Sequence, residues 1–140
     1  VSCYVVDASV ALKWFFPEVH SDAARRLLTG EHELLAPSLL FVEVGNALWR
    51  MGRGNVLSES KAQEILRGLS IMPLEIVSSA PLVEPALAIA LRTGRTVYDS
   101  LYLALAVYRG CRMVSADLRL CNALGSGAFA PYVLWVADLP

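Results

Sequence analysis

The chain has 140 residues, the length of one compact domain able to bury roughly 68–70% of the surface its unfolded form exposes, so folding requires no disulfide or structural metal. Its 12 basic and 13 acidic residues give a formal charge of −1, which excludes a protein that holds nucleic acid by bulk positive charge and leaves only local patches for that purpose. Hydrophobic residues make up 56%, yet the longest apolar runs, such as Leu101 to Tyr108, fall far short of the roughly 20 residues of a membrane helix, so the excess implies a thick core and apolar surface that a partner covers.

Cys3 to Val6 is β-rich and stops at Asp7, the pattern of a buried strand. A short helix is predicted from Ser9 to Phe16, ended by Pro17. A second spans Ala23 to Thr29, capped by Ser21 or Asp22 and stopped by Gly30. A brief strand, Glu33 to Ala36, leads into Pro37, and Ser38 caps a long helix that runs to about Met51 and stops at Gly52. Ser58 starts another helix, with Glu59, Lys61, Gln63, Glu64 and Arg67 facing water and Ala62, Ile65, Leu66 and Leu69 facing inward. Leu74 to Val77 is a strand, and Pro81 opens a helix reaching Arg92 before Gly94. Asp99 to Arg109 is helical, Arg112 to Val114 strand, Asp117 to Leu124 a short helix, and Val133 to Val136 a last strand.

Short β-branched strands alternating with helices predict an α/β fold, a three-layer α/β/α sandwich around a mostly parallel sheet of about five strands. No basic segment leads into an apolar one at the start, so no signal peptide is expected. The cysteines Cys3, Cys111 and Cys121 are odd in number and lack metal-type spacing, and they read as buried thiols of a reduced, cytoplasmic protein.

The chemistry-bearing residues are acidic. Asp7 ends the first strand, Asp117 follows the strand around Val114, and Asp99 sits near a helix start. In open parallel sheets functional groups gather beyond the carboxyl ends of the strands, so the three should share one edge. Each taken singly could be an ordinary helix cap. Capping does not account for Glu43, which lies mid-helix among Leu39, Leu40, Phe41, Val42, Val44, Leu48 and Trp49, where an isolated carboxylate is costly. Two carboxylates about 5 Å apart repel by roughly 3 kcal/mol at an effective dielectric of 20. Four that converge need protons or a cation, and an all-oxygen site suits Mg²⁺ or Mn²⁺ over zinc. Neither His20 nor His32 joins a ligand-like spacing. Metal-assisted phosphodiester hydrolysis is the chemistry implied.

Four segments carry a family resemblance: Val5-Val6-Asp7-Ala8-Ser9, Glu43-Val44-Gly45-Asn46-Ala47-Leu48, Tyr98-Asp99-Ser100-Leu101-Tyr102-Leu103-Ala104-Leu105-Ala106, and Val114-Ser115-Ala116-Asp117. In order and spacing the chain resembles the PIN-domain nucleases and, among them, the VapC-like toxins of toxin–antitoxin pairs. The resemblance implies one PIN-like nuclease domain over residues 1–140 and a Mg²⁺- or Mn²⁺-dependent endoribonuclease acting on RNA. It also implies a cognate antitoxin, a homodimer and no membrane association. It casts Asp7, Glu43, Asp99 and Asp117 as the catalytic pocket. Asp7 and Asp99 are implied as direct metal ligands, Asp117 as a ligand directly or through water, and Glu43 as the group that orients or deprotonates the attacking water. Ser9, Asn46 and Ser115 are implied as hydrogen-bonding supports of the cofactor site. Two positions depart from the family pattern: Leu118 follows the fourth acidic residue, where relatives often carry a polar or acidic one, and Ser115 stands where threonine is common.

Other residues admit two readings. Trp14, Phe15 and Phe16 fit either the core or an antitoxin groove. Lys13, Arg50 and Arg53 fit either a solvated surface or a basic rim for RNA phosphates. Tyr98 and Tyr102 fit helix packing or base stacking. The alternative functions are a catalytically silent RNA- or protein-binding module, a phosphatase, and a phospho-receiver domain. A phosphatase with an aspartate nucleophile would place a second aspartate where Ser9 stands. A receiver would need a lysine near Val133 to Val136, where there is none.

Overall fold

The computed structural model describes residues 2–140. Five strands form one sheet, all neighbours parallel: β1 (Ser2–Val6), β2 (His32–Pro37), β3 (Glu75–Val77), β4 (Arg112–Ser115) and β5 (Val133–Trp135), in the order β3-β2-β1-β4-β5. Among the described residues seven α-helices connect and cover them: α1 (Ala8–Leu12), α2 (Ser21–Arg26), α3 (Leu39–Arg53), α4 (Glu59–Ser70), α5 (Val83–Thr93), α6 (Val97–Arg109) and α7 (Leu118–Gly125). Helices lie on both sides of the sheet, so the predicted α/β/α layering holds. Among the described residues no helix is long and apolar enough to cross a membrane.

The three central strands are apolar because both of their faces are covered. Tyr4, Val5 and Val6 of β1, Leu34, Leu35 and Ala36 of β2, and Met113 and Val114 of β4 are all buried. α6 packs against β1, β2 and β4, and its residues from Ser100 to Ala106 are all buried, so the run that resembles a membrane segment in composition is the central core helix. Glycine caps close α5 and α6, with Gly94 and Gly110 in the left-handed region that L side chains avoid. Gly68 of α4 matters for a different reason: a Cβ there would sit 3.1 Å from the Phe15 ring, so glycine lets that ring pack against the helix.

Several local expectations change. The predicted helix from Ser9 to Phe16 ends at Leu12, because the buried Trp14 turns inward to donate its indole N–H to the Ala24 carbonyl, 2.9 Å away. α2 stops at Arg26 rather than Thr29, and neither Ser21 nor Asp22 caps it; the Ser21 hydroxyl donates to the Phe16 carbonyl instead. α6 begins at Val97, so Thr96, not Asp99, is its cap. Ser38 precedes α3 but bonds across to Ser79 rather than capping.

The reduced-thiol reading is overturned for two of the three cysteines. Tyr4 of β1 pairs with Arg112 of β4, which sets Cys3 beside Cys111, and the two form a disulfide with Cα atoms 5.1 Å apart. Cys121 remains a free, buried thiol.

Candidate active site

The chain runs from β1 outward through β2 to β3, then returns to place β4 on the other side of β1. The crevice beyond the ends of β1 and β4 is therefore the topological switch point of the sheet, where α/β proteins bind ligands. Asp7 and Asp117 flank it. Asp7 directly follows β1 and caps α1, accepting from Val10 N–H at 3.1 Å and from the Ser9 hydroxyl at 2.6 Å, both on Oδ1. Asp117 follows β4 and caps α7, its Oδ1 accepting from Leu120 N–H at 3.2 Å. Capping thus engages one carboxylate oxygen of each.

Ser9 and Ser115 tie these two segments together. The Ser9 hydroxyl accepts from Ala116 N–H at 2.9 Å and lies 3.5 Å from the Ser115 hydroxyl, which itself accepts from Asp117 N–H at 3.1 Å. Both serines thus fix the backbone that presents the aspartates. Asn46, expected beside them, is exposed on α3 and lies with Glu43 on a neighbouring pocket instead.

Glu43 and Asp99 complete the set from α3 and α6. The four carboxylates influence one another in a chain. Burial, joined by the charge of Glu43, pushes the Asp7 carboxyl up from its ordinary 3.8 to about 6 against the opposing pull of its serine hydrogen bonds. Glu43 is raised by burial and by Asp99, and Asp99 by burial and by Asp117. Behind them burial, followed by the charges of Asp7 and Asp117, lifts the free Cys121 thiol to about 11, which keeps it protonated and unreactive near neutrality. Side chains from four separate elements therefore share one electrostatic environment, and each of three is held toward its neutral form.

Residues 4–124 match the PIN domain family. The chain belongs to that family. It is 36% identical over 120 residues to Ribonuclease VapC3 of Pyrobaculum aerophilum, covering 84% of this chain and 92% of that protein. It is 34% identical over 122 residues to Ribonuclease VapC1 of Mycobacterium tuberculosis, covering 86% and 90%. The crystal structure of PAE2754 from Pyrobaculum aerophilum superposes with a TM-score of 0.70 at 25% identity, covering 99% of this chain and 86% of that one. A toxin–antitoxin complex from Klebsiella pneumoniae shares the fold, with a TM-score of 0.66 at 14% identity and coverage of 94% and 95%. The resemblance carried by the four sequence segments is thus a true family membership.

Within this PIN domain two further residues bear on the acids. Tyr102, one turn after Asp99 on α6, is 2% exposed, and its hydroxyl lacks a hydrogen bond of ordinary geometry. Burial, then the charge of Glu43, drives its ionisation far above the usual phenol range, so it remains a donor that faces Glu43. Arg95, just before α6, is the one cation that lowers Asp99. Its signal in the sequence is position alone, four residues ahead of Asp99.

The basic rim shrinks. Lys13 is engaged by Glu18 at 3.3 Å and the Val19 carbonyl at 2.7 Å, and Arg53 lies over the Trp49 ring at 4.9 Å. Arg50 lines one pocket together with Glu43 and Tyr98.

For a metal ion the donor chemistry fits and the grouping is loose. The acids offer only oxygen, as Mg²⁺ requires, but among the described residues no three His, Cys, Asp or Glu side chains stand close enough together to hold an ion. Mg²⁺ is commonly held by one or two carboxylates with water in its other positions. Asp7, buried and charged at neutral pH against its surroundings, is the side chain that a cation would most stabilise.

Proposed function

We propose that this protein is a Mg²⁺- or Mn²⁺-dependent endoribonuclease, the toxin of a toxin–antitoxin pair. The observation that carries the reading is that Asp7, Glu43, Asp99 and Asp117 share one electrostatic environment by the switch point of the sheet, with the carboxyls of Asp7, Glu43 and Asp99 each raised by burial and by an acidic neighbour. Its relatives named as ribonucleases support RNA as substrate. A related fold solved as a toxin–antitoxin complex supports an antitoxin partner.

In this mechanism Asp7 would hold the cation with water in its other positions, and Asp99 and Asp117 would reach it directly or through those waters. When bound, the ion would supply charge stabilisation at the phosphoryl centre and lower the pKa of a water. Glu43, raised by burial, is placed to orient an attacking water and to take its proton. Tyr102 stays protonated near Glu43 and is available to donate to it. Ser9 and Ser115 hold the segments that carry Asp7 and Asp117, and Arg95 balances Asp99. We further propose a homodimer without membrane attachment. The exposed Val83, Leu87 and Leu91 on one stripe of α5 offer an apolar face for a second copy. We assign the protein to the cytoplasm, where a disulfide such as Cys3–Cys111 is the habit of hyperthermophile proteins.

The wide spacing of the acids favours a second reading, a PIN-fold binding module without catalysis. One experiment separates the two. Purified protein, free of antitoxin, is incubated with total RNA with and without Mn²⁺ or Mg²⁺. Metal-dependent cleavage, lost in Asp7→Asn and Asp99→Asn while circular dichroism is unchanged, is expected. Folded wild-type protein that leaves RNA intact with both metals establishes the silent module, and cleavage retained in either variant refutes its assigned role.

A further inference from the structure

Beside the acidic residues lies a pocket of about 520 Å³, within the size range of small-ligand sites. It is walled by α1, α3 and the first turn of α6. Ala8, Leu12 and Ala47 line it with small or apolar groups, and Asn46, Arg50 and Tyr98 supply the rest of its chemistry. Ser9 and Glu43 belong to its wall as well, so the pocket and the acidic site are continuous.

Tyr98 is the residue that core packing does not explain. It lies four residues before Tyr102 on the same helix, yet Tyr102 is 2% exposed and Tyr98 is 60% exposed. No hydrogen bond engages its hydroxyl among the described residues, so its ring stands free beside Asp99. Arg50 is similarly uncommitted: unlike Lys13 it makes no ion pair, and unlike Arg53 it covers no ring, among the described residues. Glu43, Asn46, Ala47 and Arg50 follow one stripe of α3, which places Arg50 about 10 Å along the helix from Glu43.

We propose that this pocket is a nucleotide subsite that takes the base adjoining the scissile phosphate of single-stranded RNA. Tyr98 forms its stacking wall, Asn46 reads the base edge, and Arg50 meets a neighbouring phosphate. The inference rests on the ribonuclease reading. An apolar lining beside an exposed ring suits the face of a base, and an amide supplies both a donor and an acceptor for its edge. The carboxylates at one end repel phosphate except where a cation intervenes, while the guanidinium at the other attracts it. That gradient fixes the direction of the strand: base in the pocket, reacting phosphate over Glu43, next phosphate toward Arg50.

The test uses short single-stranded RNAs that differ only at the base next to the cut. Tyr98→Ala is expected to raise KM about tenfold, Tyr98→Phe to restore it because the ring is kept, and Asn46→Ala to flatten the base preference at that one position. A second measurement does not depend on turnover. In an Asp99→Asn background with Mn²⁺, a fluorescein-labelled RNA pentamer should bind about tenfold more weakly once Tyr98→Ala is added. Unchanged KM, unchanged cut-site distribution and unchanged pentamer affinity in Tyr98→Ala overturn the subsite while leaving the ribonuclease reading intact. Wild-type protein that cuts no RNA instead removes that reading and the subsite with it, an outcome distinct from cleavage that Tyr98→Ala leaves unchanged. Unaltered RNA affinity with lost binding of an antitoxin chain assigns the pocket to a protein partner and also overturns the proposal.

Discussion

The two ends of the central strands are built to opposite rules. Where β1 and β4 begin, two close ties stand side by side: Cys3 is bonded to Cys111, and Arg112 lies over the Tyr4 ring at 5.8 Å. On the same side Arg109 grips Glu75 of β3 through two contacts of 2.7 and 3.2 Å. Where the same strands end, about 13 Å further along β1, carboxylates collect, with Arg95 offsetting Asp99 alone, and burial holds Asp7, Glu43 and Asp99 toward their neutral forms. One end is assembled for stability and the other holds its carboxylates under electrostatic tension. The comparison teaches how a fold keeps reactive groups in an unfavourable state: the covalent and ionic ties sit on the very strands that present the acids, but at the far side.

The largest effect expected from this division is at the disulfide. Closing a loop of about 100 residues is worth about 4.7 kcal/mol in the chain-entropy account, and Cys3 and Cys111 are 108 residues apart. Cys3→Ser with Cys111→Ser, or reduction of the wild type, should therefore lower Tm by many degrees while RNA cleavage at moderate temperature survives. Equal melting with and without reductant, in protein shown oxidised by mass spectrometry, would break the comparison at its stable end. The next effect has the opposite sign and lies at the acids. A carboxyl raised from 3.8 to about 6 in the folded state binds its proton more tightly there than in the unfolded chain. Folding is thus favoured at low pH, and the penalty grows as pH rises through that window, reaching about 3 kcal/mol above it. In metal-free buffer Asp7→Asn should stabilise the protein by up to that amount at pH 7.5, and the gain should shrink to a small fraction near pH 4. A variant less stable than wild type at pH 7.5 would show that the charge of Asp7 is not under tension.

How much of this was legible in the chain follows from the range of the interactions. A β-branched run that stops at an aspartate marks Asp7 and Asp117 through local pattern, and a glutamate set in a dense apolar helix marks Glu43. Asp99 is found by the same logic, although its helix starts two residues sooner and Thr96 takes the cap. The shortened α1 is not legible, because the turn of Trp14 toward Ala24 is a tertiary contact that outweighs helical propensity. Nor is the disulfide, since nothing near Cys3 or Cys111 announces that β1 and β4 are neighbours. Tyr98 and Tyr102 share a helical stripe, so spacing treats them alike. Only the position of the helix end separates a ring over an open pocket from one sealed in the core.

The smallest expected effect tests whether the quiet end owes anything to its surface charges. Glu75 is held below the ordinary glutamate range, first by its hydrogen bonds from Arg109 and also by the Arg109 charge. A carboxylate lowered in the folded state adds stability above its unfolded value, and that contribution is lost as pH falls through the lowered one. The sign is thus opposite to that of Asp7, although both are acids at the ends of one sheet. The pair is exposed, so the gain is screened by salt and small beside the disulfide. Glu75→Gln should lower Tm slightly at pH 7 and low ionic strength, and the loss should fade in concentrated salt and at low pH. A loss as large as that from breaking Cys3–Cys111 would mean that the ion pair, rather than the covalent tie, anchors this end; no change under any condition would leave the disulfide as its sole strong clamp.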